Sequence, residues 1–336
     1  MELLMIIKKI LSLAASIISL FIFQIFLLEN SISDESNSKY YSNDEGILSI
    51  MYHRFNETKY PSTNIQMDIF DQHMKVIQDL NYNFYNPKFF VEEFNKSKSE
   101  KKILITIDDG FKSFYKEAWP YLKKNKIPFI LFVSTEPVGK NGYMTWDEIK
   151  EVESFDFAFI GHHSHTHEYL IDMANDDFIM DIEKASKIFK EKLGYIPEIF
   201  SYPFGEYSEF MKNYISKNFK IAFGQHSGVI DNNKNKFELP RFPINEKYGD
   251  LKRFKSLVNY HPLEYKNLSP SEKKISDKNN PPELIIEFFK EQKNIENINC
   301  YSNDGGNWKK SNLKFEGQNL IINFDEKFKP RRGRIN

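Results

Sequence analysis

Short apolar runs that alternate with amphipathic stretches constrain the fold of this chain more than any other feature. The run at 103–107 is β-branched and apolar on both faces, which is typical of a strand buried between two layers. Similar runs recur at 47–52, 127–133, 157–160, 199–202, 221–223 and 238–242, with helical periodicity between several of them, as at 68–80, 111–125 and 177–193. This alternation predicts parallel βα units and therefore an α/β fold.

The N-terminus predicts a membrane segment. Lys8 and Lys9 precede an uncharged, mainly apolar run from residue 10 to residue 28, which is long enough to span a bilayer. Because lysines mark the cytoplasmic side of such segments, we predict a single pass through the cell membrane, with the N-terminus in the cytoplasm and the rest of the chain on the periplasmic or extracellular side. No small-residue cleavage site follows, so we favour an anchor at 1–28 over a cleaved signal peptide. Either interpretation exports the rest of the chain.

Composition divides the remainder into four parts. Residues 29–45 are polar and predict a tether, and the alternating strands and helices occupy 46–262. Residues 263–282 are rich in Asn, Ser, Lys and Pro, which indicates a linker. The tail at 283–336 predicts a helix and then a hairpin around Gly317, a small β-containing module whose role the sequence does not indicate.

Charge and cysteine content exclude some classes of protein. The net charge of -1 argues against a nucleic-acid partner, because phosphate binding requires a clustered basic excess. Cys300 is the single cysteine, so the chain forms no internal disulfide.

Two adjacent carboxylates, Asp108 and Asp109, follow the strand predicted at 103–107 and precede Gly110. Carboxylates at the end of a buried strand are costly unless a cation or hydrogen-bond donors offset their charge. One of them can bind a metal ion while the other remains free as a base. An ordinary Asp-Gly turn is the alternative, and this segment alone does not decide between them.

A cluster of histidines follows the strand predicted at 157–160. Four of the eight histidines lie within residues 162–167, and His163 and His167 have a spacing that suits two metal ligands on one side of a helical turn. A His-x-His interpretation would instead indicate an amidohydrolase or a metallo-β-lactamase. The former normally carries its motif on the first strand, and the latter requires an aspartate where this chain has Thr166. We therefore favour the pair His163 and His167.

A third segment, residues 201–205, reads Ser-Tyr-Pro-Phe-Gly and follows the strand predicted at 199–202. Proline and glycine shape a corner there, and a rigid backbone N–H at such a corner can face a developing oxyanion. The same five residues also suit an ordinary turn.

In this order and spacing, the three segments resemble the NodB-homology polysaccharide deacetylases, carbohydrate esterase family 4, over roughly residues 46–262. The resemblance implies a distorted (β/α)7 barrel and a hydrolase that acts on carbon–nitrogen bonds other than peptide bonds. It implies Asp108 as the catalytic base and Asp109, His163 and His167 as ligands of a divalent metal ion, usually Zn²⁺. It also implies that the backbone N–H of Tyr202 helps to bind the oxyanion.

Two departures from the family pattern affect the edges of this site. The family usually has an arginine at the position of Ser201, and Arg241 is a candidate for the missing cation. The general acid usually comes from a histidine near the end of the domain, which His261 matches by position. The group that acts on poly-β-1,6-N-acetylglucosamine resembles a circularly permuted barrel, with this histidine after an N-terminal strand. We favour His53 as the acid, because it follows the strand predicted at 47–52.

These features predict hydrolysis of N-acetyl groups from an extracytoplasmic polysaccharide that contains N-acetylglucosamine. The expected partners are the acetylated polysaccharide and, through the N-terminal helix, the membrane. A peptidoglycan or chitin deacetylase, a xylan esterase and a non-catalytic carbohydrate-binding barrel remain alternatives. A carboxylate beside a metal triad argues against the last of these, because a binding module requires neither.

Overall fold

The computed structural model describes residues 44–96, 98–289, 298–303, 306–330 and 332–336. These described residues form one compact unit. The membrane segment predicted at 1–28 lies outside the described residues, as does the predicted tether apart from its last two residues. Among the residues that the structure describes, no helix combines the length and the apolar character that crossing a membrane requires.

Most of the described chain up to residue 243 is built around one parallel sheet. Its strands and the two short strands beside it are β1 (Ile47–Tyr52), β2 (Arg54–Phe55), β3 (Asn64–Ile65), β4 (Asn83–Phe84), β5 (Lys102–Ile107), β6 (Phe129–Val133), β7 (Ala158–His162), β8 (Ile199–Ser201), β9 (Ile221–Phe223) and β10 (Phe242–Pro243). The central sheet has eight strands, seven in the order β10-β1-β5-β6-β7-β8-β9 and β4 beside β5. All of these pairs are parallel.

The segment that leads into β10 brings the two edges of this sheet together. The N–H of Gly224 donates to the carbonyl of Leu239, and the N–H of Leu239 donates to the carbonyl of Ala222, each at 2.9 Å. A few residues later, β10 pairs with β1. The sheet is therefore barrel-like, and the predicted α/β class is confirmed.

Helices cover the outside of the sheet. They are α1 (Met67–Asp79), α2 (Phe90–Glu93), α3 (Trp119–Asn125), α4 (Trp146–Glu153), α5 (Asn175–Leu193), α6 (Glu209–Asn218) and α7 (Leu251–Leu257). The long helix α5 ends where the helical stretch predicted at 177–193 ends, and Gly194 caps it with φ 88°. The helix predicted across 111–125 is irregular, because a π-helical turn at Phe114–Ala118 precedes α3.

The helix α1 begins one residue before the stretch predicted at 68–80. The helix begins after Gln66, and the side chain of Asp68 lies inside the first turn, where it accepts a hydrogen bond from the N–H of Ile69. An acidic side chain in the first turn still interacts favourably with the positive end of the helix dipole.

The strands are buried on both faces, as the apolar runs predict. All six residues of β1 and all five of β6 are buried. Helices cover the outer side chains, and the inner side chains fill the barrel. Each fully buried aliphatic or aromatic side chain contributes about 1.5–3 kcal/mol to folding. This rigid scaffold fixes where the strands end, and so where the polar residues that follow them lie.

The chain beyond residue 262 forms two antiparallel sheets, called here the C-terminal sheets. Their strands are β11 (Asn267–Ser269), β12 (Leu284–Glu287), β13 (Tyr301–Asn303), β14 (Lys309–Lys310), β15 (Asn312–Glu316), β16 (Asn319–Asn323) and β17 (Arg334–Ile335). The orders are β11-β12-β16-β15 and β14-β13-β17. The predicted hairpin around Gly317 is present as β15 and β16. The helix predicted from residue 283 is wrong over Leu284–Glu287, because that short apolar run pairs with β16.

Candidate metal and catalytic site

The candidate residues meet at the edge where the parallel strands end. His53 follows β1, Asp108 and Asp109 follow β5, and His163 follows β7. The N–H of Asp108 donates to the carbonyl of Tyr52 at 2.9 Å, so the first two of these segments lie side by side. Active sites of parallel βα barrels lie at this edge.

Asp109, His163 and His167 form a compact group. The Oδ1 atom of Asp109 lies 2.9 Å from Nε2 of His167 and 3.3 Å from Nε2 of His163. One ligand atom from each residue lies within 4.8 Å of the other two. Nδ1 of His163 donates to the carbonyl of Ser201 at 2.7 Å, which leaves Nε2 as the unprotonated nitrogen that faces Asp109. A backbone carbonyl commonly orients a metal-binding histidine in this way.

The chemistry of this group fits a divalent metal ion. Oδ1 of Asp109 and Nε2 of His163 are buried and have no hydrogen-bond partner among the residues that the structure describes. Burial of such atoms without a partner is costly, and a bound cation would remove that cost. One carboxylate and two imidazoles are ligands that suit Zn²⁺. Burial alone raises the pKa of Asp109, but the neighbouring His167 and His163 hold that pKa well below its usual value.

The histidine segment is not the helical turn that the spacing predicts. Ser164 and His167 have φ values of 67° and 57°, and the segment is a tight loop in which the Oγ of Ser164 accepts a hydrogen bond from the N–H of His167. Asp109 and Phe204 also have positive φ, 75° and 58°. Left-handed conformations of non-glycine residues cost of the order of 1 kcal/mol each, and the surrounding structure holds them here.

Asp181 on α5 fixes this histidine loop. The sequence motifs did not indicate this role of Asp181. Its Oδ1 accepts a hydrogen bond from the N–H of His165 at 2.7 Å. Its Oδ2 accepts two from Thr166, one from the N–H at 3.0 Å and one from the hydroxyl at 2.6 Å. The available signal is a carboxylate at a helix position that the apolar pattern of α5 buries. This carboxylate places His167 by holding the two residues before it.

Asp108 is paired with Arg241. Both side chains are fully buried, and two parallel hydrogen bonds join them, NH1 to Oδ1 at 2.6 Å and NH2 to Oδ2 at 2.8 Å. Burial raises the pKa of Asp108, but the Arg241 guanidinium, helped by His163, lowers it below the usual value overall. The side chain is therefore an ionised carboxylate in a dry environment, as a general base requires.

Arg241 is held from several directions. Its Nε donates to the carbonyl of Gly224 at 2.9 Å, NH2 donates to the Oγ of Ser201 at 2.7 Å, and NH1 donates to the Oγ1 of Thr106 at 3.2 Å. Ser201, at the position where the family usually has an arginine, thus accepts a hydrogen bond from Arg241, the residue immediately before β10. Arg241 therefore places a guanidinium group beside Ser201, where the family usually has the guanidinium of an arginine in the 201–205 segment.

Of the two candidate acids, the structure brings His53 to the site and leaves His261 away from it. His53 is close enough to Asp109 and Asp108 for both carboxylates to raise its pKa, although burial lowers the pKa more strongly. Nδ1 of His261 lies 3.3 Å from the carboxylate of Glu45, which precedes β1 and therefore lies at the opposite edge of the sheet. The histidine near the end of the domain is thus in the wrong place for the reaction.

The predicted role of the Tyr202 N–H is contradicted. That N–H donates to the carbonyl of Phe223 at 3.0 Å, and the ring is buried against Phe200 and Tyr207. The N–H of Phe204 is a better candidate donor, because Phe204 is the second residue of the single turn Pro203–Gly205, and the first N–H groups of a helical turn have no partner within the turn. The ring of Phe204 lies 4.9 Å from that of His167.

Gly205 fixes the shape of this corner. It has φ 68°, and a Cβ atom there would lie 2.5 Å from the backbone nitrogen of Gln225. Only glycine avoids this clash, so the turn carries Phe204 toward the metal group.

Comparison with known proteins agrees with this geometry. Residues 95–220 match the family model described as polysaccharide deacetylase. The chain is 28% identical over 162 residues to YxkH of Bacillus subtilis (strain 168), which covers 48% of this chain and 57% of that protein, little more than half of its length. It is 23% identical over 242 residues to the poly-beta-1,6-N-acetyl-D-glucosamine N-deacetylase of Staphylococcus aureus (strain MSSA476), covering 63% of this chain and 83% of that protein.

Two solved structures share the fold. The Streptococcus pyogenes deacetylase PplD, in complex with acetate, has a TM-score of 0.59 at 21% identity and covers 65% of this chain and 100% of its own. IcaB from Ammonifex degensii has a TM-score of 0.58 at 22% identity, with 64% and 98% covered. As the sequence motifs predict, residues 95–220 carry a polysaccharide deacetylase domain, and the relatives support the resemblance to the NodB-homology polysaccharide deacetylases, carbohydrate esterase family 4.

Proposed function

We propose that this protein hydrolyses N-acetyl groups of a polysaccharide that contains N-acetylglucosamine, with Zn²⁺ as its metal. One observation carries the proposal: two buried, partnerless ligand atoms, Oδ1 of Asp109 and Nε2 of His163, lie beside an ionised carboxylate, Asp108. A carbohydrate-binding module requires neither a metal triad nor a free base. The relative from Staphylococcus aureus and the serine at position 201 support a β-1,6-linked polymer as the substrate.

The residues of the chain divide the work of amide hydrolysis. Asp109, His163 and His167 would hold the metal ion, which would act as a Lewis acid toward the acetyl carbonyl. Asp108 accepts the proton of the attacking water, and Arg241 keeps it ionised and oriented. The N–H of Phe204 donates to the oxyanion of the tetrahedral intermediate.

His53 completes the reaction by donating a proton to the nitrogen that leaves. An amide nitrogen is a poor leaving group, so the carbon–nitrogen bond breaks readily only when the nitrogen becomes an amine. Asp108 and Asp109 favour the protonated ring of His53 and oppose the effect of burial. The products are acetate and a glucosamine residue in the polymer.

Topology and the N-terminal sequence support two further parts of the proposal. The seven strands of the main path and the position of His53 after the first of them suit a distorted (β/α)7 barrel in circularly permuted order. The apolar run at 10–28 behind Lys8 and Lys9 supports an extracytoplasmic location, with the domain tethered to the membrane.

Acetate release from N-acetylglucosamine oligomers tests the function. We expect wild-type protein to act on β-1,6-linked oligomers, to lose activity in a chelator and to regain it with added Zn²⁺. Asp108→Asn is expected to bind Zn²⁺ normally and to lose about 10²–10⁴-fold in rate, whereas the surface control Asp68→Asn keeps its activity. Chelator-insensitive activity would contradict the metal mechanism, and activity only on chitin, peptidoglycan or acetylated xylan would select one of the alternative substrates.

A further inference from the structure

Three aromatic rings form a column that leads from the metal group to the surface. The first is His167, and the ring of Phe204 lies 4.9 Å from it. Tyr169 then stacks on Phe204 at a centroid distance of 4.0 Å with an interplanar angle of 23°. Tyr169 is 42% exposed, so the outer end of the column reaches solvent. We call the rings of His167, Phe204 and Tyr169 the aromatic column.

The column has a feature that packing alone does not explain. Phe204 holds a left-handed conformation, φ 58°, that a phenylalanine rarely adopts, and it thereby places its ring between a metal ligand and an exposed tyrosine. A large aromatic side chain gains stability when it is buried, yet Tyr169 remains at the surface. Strained residues and exposed aromatic rings beside a catalytic group are typical of ligand contacts.

The C-terminal part of the chain holds both loops that carry the column. Nζ of Lys274 donates to the carbonyl of Ile171 at 2.8 Å, two residues after Tyr169. Nε of Arg332 lies 4.0 Å from Oε1 of Glu206, two residues after Phe204. A part of the chain that contains no catalytic residue is therefore attached at two points beside the aromatic column.

We propose that the aromatic column is a sugar-binding subsite, in which Tyr169 stacks on the N-acetylglucosamine residue next to the one that is deacetylated. The proposal rests on the proposed function and adds Tyr169 as the residue that contacts the neighbouring sugar. A pyranose ring has an apolar face of C–H groups, which an aromatic ring of fixed orientation contacts well. The contacts of Lys274 and Arg332 reduce the freedom of both loops, so less conformational entropy is lost on binding.

Steady-state kinetics with substrates of different length test this subsite. The substrates are a β-1,6-linked N-acetylglucosamine pentamer and a simple aryl acetate without a sugar. Tyr169→Ala is expected to raise KM for the pentamer about tenfold with kcat nearly unchanged, the effect of losing one aromatic contact. The aryl acetate should be hydrolysed within about twofold of the wild-type rate, because it does not reach the subsite. Tyr169→Phe should restore the wild-type KM.

Tyr260→Ala is the matched control. Tyr260 is 48% exposed, lies against Phe242 and adjoins His261, away from the catalytic edge. Equal KM values for Tyr169→Ala and Tyr260→Ala on the pentamer would overturn the proposal. An equal loss on the pentamer and the aryl acetate would also overturn it, since it would show that Tyr169 only shapes the histidine loop.

Failure of the proposed function gives a different result. Wild-type protein would then release no acetate from any N-acetylglucosamine oligomer. In that case, calorimetry of pentamer binding to the wild-type protein and to Tyr169→Ala still tests whether Tyr169 is part of a sugar-binding subsite. Weaker binding by the variant supports it, and identical or absent binding refutes it.

Discussion

Arg241→Met offers the strongest test of how the base is held. The substitution keeps a long apolar stem but removes every donor from a fully buried guanidinium. The carboxylate of Asp108 then loses two hydrogen bonds of 2.6 and 2.8 Å, and the hydroxyl of Ser201 loses one of 2.7 Å. Breaking a buried ion pair from one side costs about 3–5 kcal/mol, because the remaining charge is uncompensated. We expect a loss of unfolding free energy of this size.

Urea denaturation and acetate release measure the two consequences. With an m value of about 3 kcal/mol/M, the unfolding midpoint should fall by roughly 1 to 2 M. Hydrolysis should fall at least about 10²-fold, since the base loses its ionised state and its orientation. Arg241→Lys should recover only part of both losses, because an ammonium group cannot form the paired hydrogen bonds.

Arg253→Met is the control for this experiment. Arg253 donates to the backbone carbonyl of Tyr248 and holds no buried carboxylate, so we expect a loss of about 1 kcal/mol and unchanged activity. If Arg241→Met unfolds within 1 kcal/mol of wild type and still hydrolyses substrate, the pairing with Asp108 is not what holds the base.

Three further predictions concern single side chains. Asp109→Ala should abolish calorimetric binding of Zn²⁺, and tight binding by the variant would remove Asp109 from the metal site. His53→Ala should slow amide hydrolysis about 10²-fold or more. It should not slow hydrolysis of an aryl acetate, whose leaving group requires no proton, and His261→Ala should change neither rate. Equal effects of the two variants would contradict the assignment of His53 as the acid. Burial lowers the pKa of His73 in the folded protein from 6.5 to about 4. Above pH 6.5 the ring is neutral in both the folded and the unfolded chain, so it costs no stability. As the pH falls from 6.5 toward 4 the unfolded chain is protonated first, and the free energy of unfolding decreases by roughly 3 kcal/mol. The urea midpoint of His73→Phe should therefore fall less over this range than that of wild type, and identical pH profiles would refute the argument.

Local sequence signals predict the strand ends well. The β-branched run before Asp108 and the strand before the histidine cluster are read from adjacent residues, and parallel strands bring their ends to one edge. The chemistry of the metal group follows from that alone. The resemblance of the motifs then predicts the family correctly.

Contacts between distant segments are what the sequence does not reveal. Whether the N–H of Tyr202 or that of Phe204 is available depends on the partner of Tyr202, Phe223, which lies on the next strand of the sheet. The support of the histidine loop by Asp181 depends on how α5 packs. Leu284–Glu287 was predicted as helix because four residues are too few to show a period, and only pairing with β16 makes them a strand.

The position of Arg241 also has a consequence for the order in which this protein assembles. Asp108 and its counterion are separated by 133 residues, so the pair cannot form until β10 has been added beside β1. Until that moment the base would have to remain hydrated or take up a proton, because an isolated carboxylate is not tolerated in a dry interior. A chain interrupted before residue 241 could bury most of its strands and still have no ionised base. The ion pair that keeps the proposed base ionised therefore depends on closure of the barrel between β10 and β1.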